Sequence, residues 1–190
     1  MKICVYGASS NAIARHFIEA GEALGRAMAK RGHSLVFGGG ASGMMGAAAR
    51  GMTECGGEII GVAPKFFDVD GILYSGCTEF IYTETMRERK SIMEEKADAF
   101  IMTPGGIGTF EEFYEILTLR QLGRHSKPIA ILNVADYYRP LITMQEQAIA
   151  KDFMRPECAD LCGWFEDVEA LLDYLEVAVK TAEVKDLKYI

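Results

Sequence analysis

Short apolar runs alternate along the chain with longer segments whose apolar residues recur every three or four positions. The short runs predict strands at residues 3–6, 34–37, 58–63, 78–82, 99–102 and 127–132, and a short strand at 164–165. The longer segments predict helices at residues 8–30, 44–54, 85–96, 110–122, 137–152 and 167–180. Strands that alternate with helices over short connections are typical of an α/β fold with helices on both faces of a mostly parallel sheet. We therefore predict one doubly wound, Rossmann-like α/β domain over residues 1–190, with 181–190 as a loose tail.

Local signals refine these predicted elements. The residues Ala8–Asn11 are expected to open the first helix, and Thr85 with Glu88 has the form of a capping box at the start of the third. Pro140 is expected to interrupt the fifth helix near its start. Residues 65–77, which are rich in Gly and Asp, predict an irregular loop.

Composition narrows the class of protein. A chain of 190 residues with 49% hydrophobic residues is long enough for one well-packed core. Its net charge of −7 gives no general attraction to nucleic acid, so any anion must be held by a local site. The apolar run at the N-terminus is too short for a signal peptide, and no segment has the length of a membrane span. We expect a cytoplasmic protein with neither nucleic-acid nor membrane partners.

The cysteines and histidines do not predict a metal site. Five cysteines are an odd number, and they have no secreted disulfide framework. Cys158 and Cys162 could lie one helical turn apart, but no second ligand pair accompanies them, so buried thiols are the favoured interpretation. The three histidines have no ligand spacing, and no Ser-His-Asp or Cys-His set is evident. We expect neither a metal nor another cofactor.

Three loops that contain glycine or serine follow predicted strands, at residues 7–11, 38–43 and 104–109. The carboxyl ends of parallel strands share one edge of the sheet, where folds of this class bind ligands. In the first loop, Ser9 is either a helix cap or a ligand contact. The second loop has four glycines in six residues, and we interpret its backbone, including Gly39 and Gly40, as approaching a ligand closely. The first loop lacks the G-x-G-x-x-G pattern, and the second lacks that of a P-loop.

The most informative stretch runs from Thr103 to Glu112, with the sequence T-P-G-G-I-G-T-F-E-E, between a buried strand and a helix. Its glycines leave backbone N–H groups bare at a helix N-terminus, where unpaired donors and the helix dipole together favour an anion. Two carboxylates follow directly, which suggests a phosphorylated substrate with acid–base chemistry beside the phosphate. The simpler interpretation is a tight turn closed by a capping box between Thr109 and Glu112.

Arg89 is the most unusual residue of the third predicted helix. It shares a face with the apolar side chains of that helix, where an arginine needs a counter-charge. It is either a snorkelling or structural arginine, paired with Glu111 or Glu112, or a guanidinium that holds phosphate or orders a catalytic carboxylate. Lys90 lies on another face and is expected to be solvated or at the rim of the site.

The helix predicted at residues 110–122 is apolar almost all round. A helix needs only one apolar stripe to cover a sheet. The surplus favours a homodimer built on this helix. The alternative is a helix wedged between the sheet and neighbouring helices of the same chain.

Two motifs resemble those of the LOG family of cytokinin-activating phosphoribohydrolases, proteins often labelled lysine decarboxylases. Residues 104–112 match the family's P-G-G-x-G-T-x-E-E loop, and residues 86–90 match its M-x-x-R-K pattern. The glycine loop at 38–46 and the serine pair at 9–10 are similar to two further family loops. The resemblance covers roughly residues 1–150, and the combination of the two motifs is specific.

Two positions depart from the family pattern. In addition, the label of lysine decarboxylase that is often given to the family finds no support in this sequence. Arg87 stands where the family usually has a histidine, and Ala8 stands where it has a glycine before the serine pair. Lysine decarboxylation would need a lysine in a pyridoxal-phosphate setting, and no such setting is recognisable.

The resemblance implies hydrolysis of the N-glycosidic bond of a nucleoside 5′-monophosphate, AMP or an N6-substituted cytokinin-type analogue, to free base and ribose 5-phosphate. It implies Glu112 and Arg89 as catalytic residues, with the amides of residues 105–109 on the 5′-phosphate and Met86 on the base. The full predicted substrate site comprises Ser9, Gly39, Gly40, Met86, Arg89, Lys90, Gly105, Gly106, Ile107, Gly108, Thr109 and Glu112. The alternative is a nucleotide-binding carrier or sensor that does not cleave its ligand, because the glycine loops serve both functions equally.

Overall fold

The computed structural model of the protein describes residues 1–181, so the predicted loose tail lies, from residue 182 onward, outside the described residues. Within that range the chain forms seven strands and six α-helices. The strands are β1 (Lys2–Tyr6), β2 (Ser34–Phe37), β3 (Ile59–Pro64), β4 (Glu79–Thr83), β5 (Ala99–Met102), β6 (Ile129–Leu132) and β7 (Gly163–Phe165). The helices are α1 (Arg15–Lys30), α2 (Gly43–Glu54), α3 (Met86–Lys96), α4 (Ile107–Gln121), α5 (Arg139–Ala150) and α6 (Val168–Thr181).

The strands form one parallel sheet in the order β4-β3-β2-β1-β5-β6-β7. The chain builds outward from β1 to β4, returns to the other side of β1 with β5, and continues to β7. The strand order therefore reverses at β1, between β2 and β5. Open α/β sheets bind ligands at such a switch point, outside the carboxyl ends of the strands. The predicted doubly wound α/β fold is confirmed.

The core has two layers, one on each face of the sheet. Along β1, Ile3 and Val5 pack with residues of α1, α2 and α6, whereas Cys4 and Tyr6 pack with residues of α3 and α4. Successive strand residues point to opposite faces, so a strand buried on both faces is a continuous apolar run. This is why the short apolar runs identified the strands.

The first helix begins later than predicted. α1 starts at Arg15, because the polar residues before it form a loop instead of a cap. The Asn11 side chain accepts a hydrogen bond from the Gly43 N–H at 2.9 Å and donates one to Ser42 Oγ at 3.0 Å. Asn11 thus joins the first loop to the second, a long-range contact that local sequence does not reveal.

The fifth helix also differs from its prediction. Pro140 lies in the first turn of α5 and does not interrupt a longer helix, and a 3-10 turn at Val134–Asp136 precedes it. Proline is tolerated in the first turn because the N–H it lacks would have no helical acceptor. Among residues 1–181, no helix combines the length and the apolar character that crossing a membrane requires.

Candidate active site

A cleft of about 510 Å³ opens at the carboxyl ends of β1, β2 and β5, at the switch point of the sheet. Its size is typical of a pocket for a small molecule. The three predicted loops meet there, joined by the start of α3 and by the loop between β3 and β4. The lining residues are Gly7, Ala8, Ser9, Ser10, Gly38, Gly40, Met45, Phe67, Ile72, Leu73, Met86, Arg89, Gly106, Ile107, Gly108, Thr109, Glu111 and Glu112.

The N-terminus of α4 forms one wall of the cleft. Gly106 is its N-cap, and the N–H groups of residues 106–109 have no acceptor within the helix. A Cβ at Gly106 or at Gly108 would meet no atom within 4 Å, so these two glycines face open space. We call residues 104–109 the glycine turn. Bare amides, open space and the positive end of the helix dipole make the glycine turn suitable for a phosphate.

A buried ion pair also lines the cleft. Nη1 of Arg89 donates to Oε1 of Glu112 at 2.7 Å, and Nε of Arg89 donates to the Val62 carbonyl oxygen at 3.1 Å. The two side chains are only 7% and 9% exposed. The predicted capping box positions α3, because Thr85 Oγ1 accepts from the Glu88 N–H at 3.1 Å. Of the two acids proposed as partners of Arg89, the structure selects Glu112.

Burial controls the protonation of Glu112. Loss of hydration raises the pKa of the carboxyl above its ordinary value, and the Arg89 guanidinium opposes that rise. A carboxylate in this environment is less stabilised by water than one on the surface. It is therefore suited to stabilise positive charge or to accept a proton from a substrate or a water molecule.

The competing capping-box interpretation of Glu112 is wrong. α4 begins at Ile107, three residues earlier than predicted, so Thr109 lies inside the helix and no side chain caps it. Glu112 therefore lies in the second turn, where its carboxylate pairs with Arg89 instead of with a backbone N–H. The glycine run shifted the start of the helix because Gly106, not Thr109, takes the N-cap position.

Three of the four glycines of the second loop also have a structural reason within the protein itself, and two of the four, Gly38 and Gly40, line the cleft. A Cβ at Gly38 would lie 1.9 Å from Nη2 of Arg89, so Gly38 makes room for the guanidinium. Gly39 has φ +77° and lies against the Phe80 ring, and Gly43 has φ +63°. These glycines are required by the protein's own packing and backbone geometry, which sequence alone cannot distinguish from close approach to a ligand.

Nine of the twelve predicted site residues line the cleft: Ser9, Gly40, Met86, Arg89, Gly106, Ile107, Gly108, Thr109 and Glu112. The other three, Gly39, Gly105 and Lys90, do not line it. A Cβ at Gly105 would lie 2.1 Å from Thr109 Oγ1, so that glycine serves the turn itself. Lys90 is not solvated, because its largely buried side chain pairs with Glu111, which lines the cleft, and, at 2.8 Å, with Glu115.

Sequence reasoning missed an apolar wall of the cleft. Phe67, Ile72 and Leu73 come from the loop between β3 and β4, and Met45 comes from α2. The loop is held over the site by the second glycine loop, because the Tyr74 N–H donates to the Gly39 carbonyl oxygen at 2.8 Å. The signal available in the sequence was the presence of apolar side chains in a loop that has neither helical nor strand periodicity.

A second cleft, of about 340 Å³, lies beside edge strand β4. Its walls are aromatic and acidic and include Asp68, Asp70, Tyr74, Phe80 and Tyr82. All its lining residues fall within positions 68–82, and none is an arginine or lysine. A phosphate would be repelled there, so the cleft at the switch point is the better candidate for an anionic substrate.

Comparison with known proteins identifies close relatives. Residues 45–175 match the family described as "Possible lysine decarboxylase". The cytokinin riboside 5′-monophosphate phosphoribohydrolase of Rhodococcoides fascians is 40% identical over 152 residues, covering 80% of this chain and 77% of that protein. A protein of the same activity name from Arabidopsis thaliana is 35% identical over 175 residues, covering 92% and 82%.

Solved structures extend the comparison to the fold. The molybdenum cofactor carrier protein of Chlamydomonas reinhardtii aligns with a TM-score of 0.72 at 22% identity, over 94% of this chain and 98% of that one. A likeness at this level of identity concerns the arrangement of strands and helices alone.

Proposed function

The chain belongs to the LOG family, and we propose that it hydrolyses the N-glycosidic bond of a nucleoside 5′-monophosphate, releasing the free base and ribose 5-phosphate. The buried Arg89–Glu112 pair, in one cleft with the open amides of the glycine turn, carries this proposal. Binding a phosphate does not require a carboxylate, since two negative charges repel each other. A carboxylate in this place is explained by chemistry that builds positive charge on the substrate.

The reaction assigns a role to each member of the pair. When the bond between C1′ and the base nitrogen breaks, its electrons leave with the base and positive charge builds on the ribose. The Glu112 carboxylate stabilises that charge and accepts a proton from the water whose oxygen bonds to C1′. The departing base takes up a proton from solvent, and Glu112 afterwards returns its proton to solvent, so that the net reaction consumes one water. Arg89 holds the carboxylate in place through the 2.7 Å hydrogen bond.

The remaining lining residues suit the two ends of the substrate. The N–H groups of the glycine turn bind the 5′-phosphate through charge-assisted hydrogen bonds. Met86, Phe67 and Ile72 give the cleft an apolar side on which an adenine ring packs. We therefore propose AMP or an N6-substituted adenosine monophosphate of the cytokinin type as the substrate.

Lysine decarboxylation, which the family description suggests, is disfavoured by the chemistry of the cleft. That reaction by pyridoxal phosphate needs a lysine that forms a Schiff base with the cofactor. In the part of the chain that the structure describes, no lysine lines the cleft. Lys90, the lysine next to Arg89, is held by Glu111 and Glu115.

The proposal is tested by incubating the protein with AMP, an N6-alkylated AMP and adenosine, and by quantifying free base and ribose 5-phosphate. We expect both nucleotides to be cleaved, and adenosine to have a kcat/KM lower by about 100-fold or more, because it lacks the phosphate contacts. Similar kcat/KM values for AMP and adenosine would contradict the role of the glycine turn. Tight binding of AMP without release of base would instead identify a carrier or sensor.

We also propose that the protein is a homodimer built on α4. Phe113, Ile116 and Leu117 are buried within the chain, so part of the apolar surplus of this helix is used internally. Tyr114 on α4 remains exposed, and the neighbouring α5 has no buried residue and leaves Met144 64% exposed. A second copy packed on α4 and α5 would cover these side chains.

Light scattering at micromolar concentration tests the assembly. We expect about twice the chain mass of 20.9 kDa. A mass equal to one chain would contradict the dimer.

We also propose a cytoplasmic location, because the five cysteines have no secreted disulfide framework. Cell fractionation tests this proposal.

A further inference from the structure

The carbonyl oxygens of Thr103 and of the first residues of the glycine turn each accept a hydrogen bond from the protein. The carbonyl oxygens of residues 103–105 accept hydrogen bonds, in chain order, from Tyr138 Oη at 2.7 Å, from the Ala8 N–H at 3.0 Å and from Tyr137 Oη at 2.8 Å. The next carbonyl, that of Gly106, accepts from the helical N–H of Phe110 at 3.0 Å. Four consecutive carbonyl oxygens therefore have protein donors.

This pattern matters for an anion because each peptide group has a negative and a positive end. A carbonyl oxygen that turned into the cleft would repel a phosphate, whereas an N–H would bind it. Fixing a peptide plane by its oxygen also fixes the direction of the N–H on the same plane. The donors to the carbonyl oxygens of Pro104, Gly105 and Gly106 therefore determine which way the N–H groups of residues 105–107 point. The Thr103 carbonyl shares its peptide plane with Pro104, which has no N–H, so its bond to Tyr138 anchors the chain without directing an amide.

Two of the four donors are side chains, and both come from the segment that follows β6. This segment places Ala135 at φ +51° and Asp136 at φ +57°, a left-handed conformation that is unfavourable for alanine. Asn133 stabilises the segment by accepting from the Tyr138 N–H at 2.8 Å and by donating to Asp136 Oδ1 at 3.0 Å. This backbone conformation is therefore maintained where it directs the two phenols at the carbonyl oxygens of Thr103 and Gly105.

The two tyrosines differ in how far they belong to the core. Tyr138 is buried and packs against Phe110 and Trp164, so its ring is also a core side chain. Tyr137 is 40% exposed, and its ring meets the edge of Phe17 at 5.8 Å between centroids. The hydroxyl of Tyr137 can therefore be removed with little effect on the core.

We propose that Tyr137 is a positioning residue that orients the Gly106 N–H of the glycine turn toward the 5′-phosphate, an inference that rests on the proposed function. Tyr137 does not line the cleft, so it acts through the Gly105 carbonyl oxygen and the peptide plane that this oxygen shares with the Gly106 N–H. The hydroxyl of Tyr137 sets phosphate affinity, whereas that of Tyr138, bonded to the Thr103 carbonyl oxygen, contributes to stability.

The test compares Tyr137→Phe with Tyr174→Phe, a matched loss of a phenol on α6 away from the cleft. The probe is ribose 5-phosphate, whose binding is measured by calorimetry without any need for turnover. We expect Tyr137→Phe to weaken binding by about 5-fold, the loss of one hydrogen bond, with an unchanged thermal midpoint. Tyr174→Phe is expected to bind like the wild type. Tyr138→Phe removes a buried hydrogen bond, so it should lower the midpoint while ribose 5-phosphate binds nearly as in the wild type.

Kinetics with AMP provide a second measurement. In Tyr137→Phe, KM should rise by a factor similar to that for ribose 5-phosphate, with kcat within about 2-fold of the wild type, because the lost interaction is with the non-reacting phosphate. Equal affinity of Tyr137→Phe and wild type for ribose 5-phosphate, or no binding by the wild type, would overturn the positioning role. If the wild type binds ribose 5-phosphate but does not cleave AMP, the proposed reaction fails, and the affinity ratio still decides the role of Tyr137.

Discussion

Two groups of ion pairs in this protein use the same residue types in opposite ways. In the cleft, one arginine meets one glutamate, and both side chains are almost completely shielded from water. At the junction of α1 and α6, Arg31 meets three acids: Glu169, Asp173 at 2.7 Å and Glu176 at 3.2 Å. Arg31 is 23% exposed, and its partners are more exposed still.

The direction of the pKa shifts shows what dominates in each group. Glu176 has a lowered pKa, because His33 and Arg31 hydrogen-bond to its charged form at the surface. Glu112 has a raised pKa despite an arginine at 2.7 Å, because burial outweighs the partner. The number of ion pairs is therefore a poor guide to their importance. The single buried pair leaves a costly charge behind if either partner is lost, whereas the exposed cluster is screened by solvent.

Removing Arg89 from the buried pair should have the largest effect on stability. Arg89→Ala leaves Glu112 buried without its partner, and we expect the free energy of unfolding at pH 7 to fall by about 3–5 kcal/mol. Urea unfolding at a fixed protein concentration measures it. The double variant Arg89→Met, Glu112→Leu removes both charges and should be more stable than Arg89→Ala. Equal stability of the two variants would show that the pair is not electrostatically coupled.

Neutralising Glu112 should have the next largest effect. We expect this effect on turnover and not on folding. Glu112→Gln keeps the size of the side chain and a hydrogen-bond acceptor for Arg89, so we expect a folded protein that still binds AMP. Its kcat should fall by about 10²-fold or more. The neighbour Glu111, which pairs with Lys90, provides the matched control, and Glu111→Gln should lose less. Near-normal turnover by Glu112→Gln would remove this carboxylate from the mechanism.

The pH dependence of activity should distinguish Glu112 from its neighbour Glu111. Glu112 acts as a carboxylate, so activity is lost as the pH falls through its pKa. Because that pKa is raised, the acid limb of kcat/KM should lie above 4.5, the ordinary value for a glutamate. Glu111 contributes to the rise, so the limb of Glu111→Gln should move to lower pH. A limb below 4.5 in the wild type would contradict the dominance of burial.

The surface cluster should give the smallest effect. Arg31→Ala removes three ion pairs at once, yet we expect a loss of only about 1 kcal/mol in the free energy of unfolding, because each exposed pair contributes little. The loss should shrink in 1 M salt, where charges are screened over about 3 Å. Denaturant unfolding at low and high salt measures both quantities. A loss as large as that of Arg89→Ala would refute the distinction between the two groups.

The sequence determined the architecture of this protein and the chemistry of its site. Buried strands with helices between them predicted the parallel sheet, since side-chain periodicity follows directly from local backbone geometry. The P-G-G-x-G-T-x-E-E stretch and the arginine on an apolar helix face predicted an anion site with a carboxylate beside it. Nine of the twelve proposed site residues line one cleft because the carboxyl ends of parallel strands meet at one edge.

Only the tertiary structure decided which groups face each other. Whether Arg89 meets Glu111 or Glu112 depends on where α4 begins, and that depends on Gly106 as the N-cap. Gly38 is a glycine because a guanidinium from another helix occupies the space of its side chain. Tyr137 reaches Gly105 in the glycine turn, and Tyr138 reaches Thr103 just before it, from more than 30 residues away, across β6 and a left-handed turn. Such contacts arise from the packing of distant segments, so no local pattern in the sequence specifies them.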